Sequence, residues 1–176
     1  RKQLGLVHVV YPGAQHMRAE HELGSSQLAF ERAQRLYEEG LLTKQDVIDC
    51  RVNGLIHDDS HGPYSHITDP IVSADHNLRS APIVRAMAEA IERAGSDPER
   101  QIRMLLKQDK LGLIVSDRHL GVEKINYLAR DSHHTGMDGM LNPRLFLHIV
   151  SFVDGQLLVN AEMHQIVMGL ISHHWT

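Results

Sequence analysis

Thr43-Lys44-Gln45-Asp46-Val47-Ile48-Asp49-Cys50-Arg51-Val52-Asn53-Gly54-Leu55-Ile56-His57-Asp58 decides the fold. Thr43 and Asp46 form a capping box, the start signal of a helix. Val47, Ile48, Val52, Leu55 and Ile56 then recur at helical spacing and carry that helix to His57-Asp58. Gly62-Pro63 must break it. Upstream, Leu23, Leu28, Ala29, Ala33 and Leu36 predict a helix over 17–38 that Gly40 closes. Downstream, a third helix is predicted from Ile83 to Ala94, with Pro82 fitting only a first turn or a kink. Asp97-Pro98 caps a fourth, which buries Ile102, Leu105 and Leu106. A fifth runs from Val122 to His133, and Asn142-Pro143 opens a short sixth. Val153-Asp154-Gly155-Gln156 reads as a hairpin turn, and a last helix begins near Ala161. The class is mainly α with one small β-hairpin. No repeat or linker divides the chain, so residues 1–176 read as one domain.

The composition narrows the function. The chain has 176 residues, with 18 basic against 22 acidic, a formal charge of −4. Such a chain lacks the broad basic field of nonspecific nucleic-acid binding. The single cysteine, Cys50, excludes an internal disulfide framework and fits a reducing compartment: cytoplasmic, or nuclear in a eukaryote. No apolar run approaches the roughly 18–20 residues of a membrane span, so no membrane partner is expected. The chain starts at Arg1 without an initiator methionine, which reads as a piece of a longer protein.

Fourteen histidines stand out, because they gather beside carboxylates. One group is His16-x-Arg18-x-Glu20-His21. Another is His57-Asp58-x-x-His61-Gly62-Pro63-Tyr64-Ser65-His66-x-x-Asp69, with His76 following and His133-His134 further on. Neutral imidazole and carboxylate suit Fe, Mn, Zn, Ni and related divalent ions. Adjacent His and Asp side chains diverge on a regular helix, but at a helix end the turning backbone lets both converge. His57 and His61 lie one helical turn apart and can share a face. Glu123, Tyr127 and Asp131 follow i, i+4, i+8 spacing on one face of the fifth helix. His8, His119, His148, His164, His173 and His174 read as ordinary surface or core residues, and His16 and His134 have no assigned role.

Together with Gln3-Leu4-Gly5, Tyr11-Pro12-Gly13-Ala14 and Tyr127-Leu128-Ala129-Arg130-Asp131-Ser132-His133-His134-Thr135-Gly136, these blocks resemble the HD-domain deoxynucleoside triphosphate triphosphohydrolases. The resemblance runs from Arg1 to about Val159 and implies an HD-domain helical fold. It implies that His21, His57, Asp58 and Glu123 are metal ligands. It implies a catalytic and phosphate-contacting cluster of His61, His66, Asp69 and His76. Arg18, Lys124, Tyr127 and Asp131 would hold triphosphate and sugar, with His133 beside them, and Gln3 and Leu4 would exclude a 2′-hydroxyl. The implied cofactor is a divalent metal ion (Mn, Fe, Zn, Ni or Mg). The implied substrate is a deoxynucleoside triphosphate (dNTP), and the implied assembly a homo-oligomer with further segments at both ends of the chain.

The sequence departs from that pattern at three places. Asp59-Ser60 stands where an apolar residue and Gly are usual, Glu123 where the family has Asp, and Asn126 where it often has Asp. Two other functions therefore stand beside the first: an HD phosphohydrolase acting on another nucleotide, such as a monophosphate or an alarmone, or a nucleotide-binding regulatory module with little or no hydrolysis. Gln3, Arg18 and Tyr127 favour the triphosphate.

Overall fold

A computed structural model describes residues 1–60, 76–136, 142–165 and 167–168. Among them the helices are α1 (Arg18–Glu38), α2 (Lys44–Ile56), α3 (His76–Ala86), α4 (Ala88–Arg93), α5 (Pro98–Leu105), α6 (Leu113–Ser116), α7 (Val122–Thr135) and α8 (Pro143–Ile149). Strands β1 (Val150–Val153) and β2 (Gln156–Val159) pair antiparallel, with Val153 opposite Gln156. Asp154 and Gly155 between them both have positive φ, 51° and 73°, as a two-residue type I′ turn requires. The mainly α class with one hairpin is what the sequence predicts.

The centre of the structure is the antiparallel pair α1 and α2. Leu28, Ala29, Ala33 and Leu36 of α1 meet Val47 and Cys50 of α2, and Met104, Ile114, Val122 and Leu147 close the cluster. Gly54 lets the pair come close: a Cβ there would lie 2.9 Å from Ser25 O and 2.9 Å from Ser26 Cα. On the far side of α2, Val52 and Ile56 pack with Val84, Ile91, Ile102 and Leu105. A third cluster joins Ile125 of α7 to Phe146, Ile149 and Val150.

Two arginines of α1 donate to carbonyls at the end of α8, at the start of β1 and just before α7. Arg32 is wholly buried and donates to Leu120 O at 2.6 Å and Phe146 O at 3.3 Å. Arg35 donates to His148 O at 3.4 Å and to Val150 O. Phe146 and His148 lie in the last turn of α8, whose carbonyls have no donor inside the helix, so the guanidinium groups supply one.

The predicted helix Ile83–Ala94 is corrected by the structure. Helical backbone begins earlier, at His76, and breaks at Met87, whose φ and ψ of −100° and 8° leave the helical region. Pro82 sits inside α3, where it removes one ladder hydrogen bond. Near Ala161 the chain passes through a 3-10 turn, Ala161–Met163, before helical backbone at 164 and 165. The sequence reading also lacks α6 and the 3-10 turns Val7–Val9 and Lys110–Gly112, which are too short to show a period. No described helix is long and apolar enough to cross a membrane.

Arg100 of α5 locks the α2 side of the fold. It reaches Asp49 at 2.5 Å, Asp46 at 2.6 Å and Asp109 at 3.1 Å. Asp49 is buried and also accepts from Ser96 at 2.5 Å. Removing one partner of such a network leaves buried charge without compensation. Arg100→Ala should therefore lower the unfolding free energy by about 3 kcal/mol in urea denaturation. A loss below about 1 kcal/mol would mean the network behaves as a surface ion pair.

Candidate metal centre

The α1–α2 pair sets the site. α1 starts at Arg18, with Glu20 reaching back to the Met17 N–H at 3.0 Å, so His21 lies in its first turns. α2 ends at Ile56, so His57 and Asp58 follow directly. Antiparallel packing brings that beginning and that end together. His21, His57 and Asp58, all buried, offer ligand atoms within 4.8 Å of one another. His21 Nε2 and His57 Nε2 are 3.1 Å apart, and each is 3.7 Å from an Asp58 oxygen.

The hydrogen bonds behind the rings fix their tautomers. His57 Nδ1 donates to the Gly54 carbonyl at 2.9 Å, and His21 Nδ1 donates to Asn126 Oδ1 at 2.9 Å. Both acceptors are oxygens with no proton to give, so both Nδ1 atoms carry hydrogen. The two Nε2 atoms then face each other at hydrogen-bond distance, with Asp58 oxygens beside them. Burial and the neighbouring His57 hold the His21 imidazole down to about 4, so that ring stays neutral near pH 7. Imidazole Nε2 atoms backed by hydrogen-bonded Nδ1–H groups, with a carboxylate alongside, suit a divalent metal ion.

α7 supplies the rest. Glu123 Oε2 is 3.2 Å from His57 Nε2, outside the group of three but at its edge. Burial raises the Glu123 carboxyl; His57 opposes that rise and Asp58 adds to it. Gly24 of α1 brings α7 close, since a Cβ there would lie 2.4 Å from Asn126 Nδ2. Asn126 thereby reaches His21. The sequence marks Asn126 only as a departure, and gives no role to Gly24 or Gly54. Their signal was available: a glycine inside a helix costs about 1 kcal/mol relative to alanine, and asks for a packing reason.

The other predicted residues fall as follows. Arg18 is buried and paired with Asp58 Oδ2. Lys124 is buried and donates to Arg118 O at 3.3 Å, with burial lowering its ammonium. Tyr127 is half-buried, its ring 6.4 Å from His21, and burial pushes its phenol up to about 12. Asp131 lies 2.8 Å from His16 Nε2. His133 is exposed, edge-on to His134. Gln3 and Leu4 are half-buried, and the Gln3 N–H donates to His16 O at 3.0 Å beside the bridge between Lys2 and Met17. His61, His66 and Asp69 lie outside the described residues. His76 opens α3, and its side chain is likewise outside them.

The comparisons with known proteins agree with this geometry. The human deoxynucleoside triphosphate triphosphohydrolase SAMHD1 is 30% identical over 205 residues, covering 92% of this chain and 33% of that one. A protein of Acanthamoeba polyphaga mimivirus named for its HD domain is 30% identical over 172 residues, covering 80% of this chain and 38% of that one. The crystal structure of a phosphohydrolase from Bacteroides thetaiotaomicron superposes with a TM-score of 0.82 at 27% identity, over 97% of this chain and 43% of that one. The chain belongs to the HD-domain hydrolase family. The His57-Asp58 pair at the end of α2 carries the two letters of that name. No family model matches the chain. The HD-domain chain spans about a third of the length of the curated relatives it matches.

Two measurements probe the centre. Asn126→Leu, which removes the acceptor of His21, should weaken Mn²⁺ binding about 10–100-fold in isothermal titration. Unchanged affinity would mean that Asn126 does not orient the ring. The second is acid sensitivity without metal. The folded His21 takes its proton only near 4, the unfolded one near 6.5. Folding therefore loses stability as pH falls from 6.5 toward 4. In chelator, the wild type should lose about 2 kcal/mol more than His21→Gln between pH 7 and 5. Equal losses would show that the ring is protonated inside the fold.

Proposed function

We propose that this HD domain hydrolyses deoxynucleoside triphosphates to deoxynucleoside and triphosphate with a divalent metal ion. The observation that carries the reading is the convergence of two imidazole Nε2 atoms and the Asp58 carboxylate at one buried point. SAMHD1, a relative covering most of the chain, is named for that reaction. The metal would be held by His21, His57 and Asp58, with Glu123 as fourth ligand, and would be Mn, Fe, Zn, Ni or Mg. When bound, it supplies Lewis acidity toward a phosphoryl oxygen and activates water.

The chain's own residues do the rest in this reading. A water oxygen bonds to the α-phosphorus, the bond from that phosphorus to the 5′-oxygen breaks, and the 5′-oxygen takes a proton. His66 or His76, with its charge held by Asp69, supplies that proton, and His61 contacts the phosphates. Arg18 now balances Asp58; once that charge is balanced otherwise, its planar fork suits phosphoryl oxygens. Lys124 adds a second positive charge. Tyr127, Asp131 and His133 take the sugar side, with Gln3 and Leu4 against its 2′ carbon. Most of the work is positioning and charge stabilisation, as phosphoryl transfer requires. A homo-oligomer belongs to the same reading, on the resemblance alone.

The test is direct. Purified protein is incubated with each dNTP and Mn²⁺, Mg²⁺ or Fe²⁺, and products are separated. Triphosphate should appear and vanish in Asp58→Ala, while Glu123→Asp should hold or raise the rate. Phosphate or pyrophosphate instead would overturn the triphosphohydrolase reading and favour another nucleotide. Binding without turnover under every metal would favour a regulatory module.

A further inference from the structure

His16 has no role in the sequence reading, yet its side chain is wholly buried. Its Nε2 lies 2.8 Å from Asp131 Oδ1, across 115 residues of sequence. An ionised carboxylate only accepts, so His16 donates from Nε2. His16 Nδ1 is buried with no partner among the described residues. A proton there would be a buried donor left unpaired, which costs about 1–3 kcal/mol. His16 is therefore neutral, with its one N–H committed to Asp131, and burial lowers its imidazole in the same sense.

A second imidazole holds that ring. His134 stacks on His16 with centroids 4.4 Å apart and planes 14° apart. His134 also bonds to the Gly13 backbone, and a Cβ on Gly13 would lie 2.5 Å from His134 O. Segment 13–16 is thus clamped onto the last turn of α7, and the His16 ring has little freedom to turn.

Asp131 itself is open: its side chain is 22% exposed, and His16 engages Oδ1. It shares one face of α7 with Glu123 and Tyr127, about 12 Å along the axis from Glu123. A ligand with a phosphoryl group at His21, His57 and Asp58 that lies along α7 passes Tyr127 and meets Asp131. A carboxylate there repels phosphate and accepts from a hydroxyl. Burial pushes the Asp131 carboxyl up to about 6, with His134 and Arg130 opposing the rise.

We propose that His16, braced by His134, is the positioning residue for Asp131: it occupies one carboxylate oxygen and presents the other to a sugar hydroxyl of the substrate. The inference rests on the dNTP reading above and adds the residues that aim its sugar contact.

The experiment compares dGTP and dTTP with their 2′,3′-dideoxy counterparts, with Mn²⁺, in wild type, His16→Leu and His16→Gln. Gln retains an N–H at similar reach. His16→Leu should raise KM for the deoxy substrates about tenfold, the equivalent of ~1.4 kcal/mol. It should leave kcat within about twofold and dideoxy KM unchanged, and His16→Gln should recover most of the loss. Equal losses on both substrate classes, or Gln no better than Leu, would overturn the proposal. Should His16→Leu fail to fold, NMR of the wild type decides: the hydrogen-bonded His16 Nε2 proton should resonate at low field and disappear in Asp131→Ala. A signal absent from the wild type, or kept in Asp131→Ala, overturns it. Should the wild type turn over no dNTP, the hydrolase reading falls by itself. The inference is then read from nucleotide affinities in Ca²⁺, where equal binding of deoxy and dideoxy forms overturns it and a deoxy preference lost in His16→Leu supports it.

Discussion

The contact between Gly54 and the backbone at Ser25 and Ser26 underlies the rest of this structure. It sets the spacing of α1 and α2, and that spacing places His21 against His57 and Asp58. A methyl group at position 54 would meet backbone atoms at 2.9 Å, and backbone cannot rotate away as a side chain can. The helices would have to separate, and the two imidazoles sit at the end where separation matters. A cost in helix propensity is thus accepted in the middle of α2 so that three side chains from two helices can meet.

The second constraint is α7, which approaches α1 over Gly24. Through Asn126 it holds the His21 ring, through Glu123 it flanks that of His57, and through Asp131 it meets the N-terminal segment. Arg32 and Arg35 hold the same corner from the inside by donating to carbonyls at Leu120, Phe146, His148 and Val150. One long helix, α1, therefore carries a metal-ligand candidate at its start and, further along, the anchors of α8, of β1 and of the segment before α7.

Much of this was legible in the sequence. The capping box at Thr43 and the apolar spacing after it are local signals, and α2 begins and ends where they say. The hairpin turn at Asp154-Gly155 is equally local, because positive φ at both central positions restricts the residue types. The meeting of His21 with His57 and Asp58 was legible through the resemblance, since spacing alone cannot measure a distance across 36 residues. The break at Met87 was not legible, because the apolar spacing continues through it while the backbone turns. Nor was the partnership of His16 with Asp131: a histidine beside Arg18 and Glu20 looks like surface, and only the fold turns it inward.

The acceptors behind the His21 and His57 rings have a consequence for charge. His21 leans on an amide and His57 on a backbone carbonyl, and neither acceptor is a carboxylate. Orientation of the rings thus adds no negative charge to the centre. In the proposed four-ligand set, Asp58 and Glu123 would supply the only formal negative charges, −2 in all, which a dication would balance. Carboxylates behind the two rings would have taken that total below zero, so an approaching phosphoryl group would meet less repulsion here than at carboxylate-backed histidines.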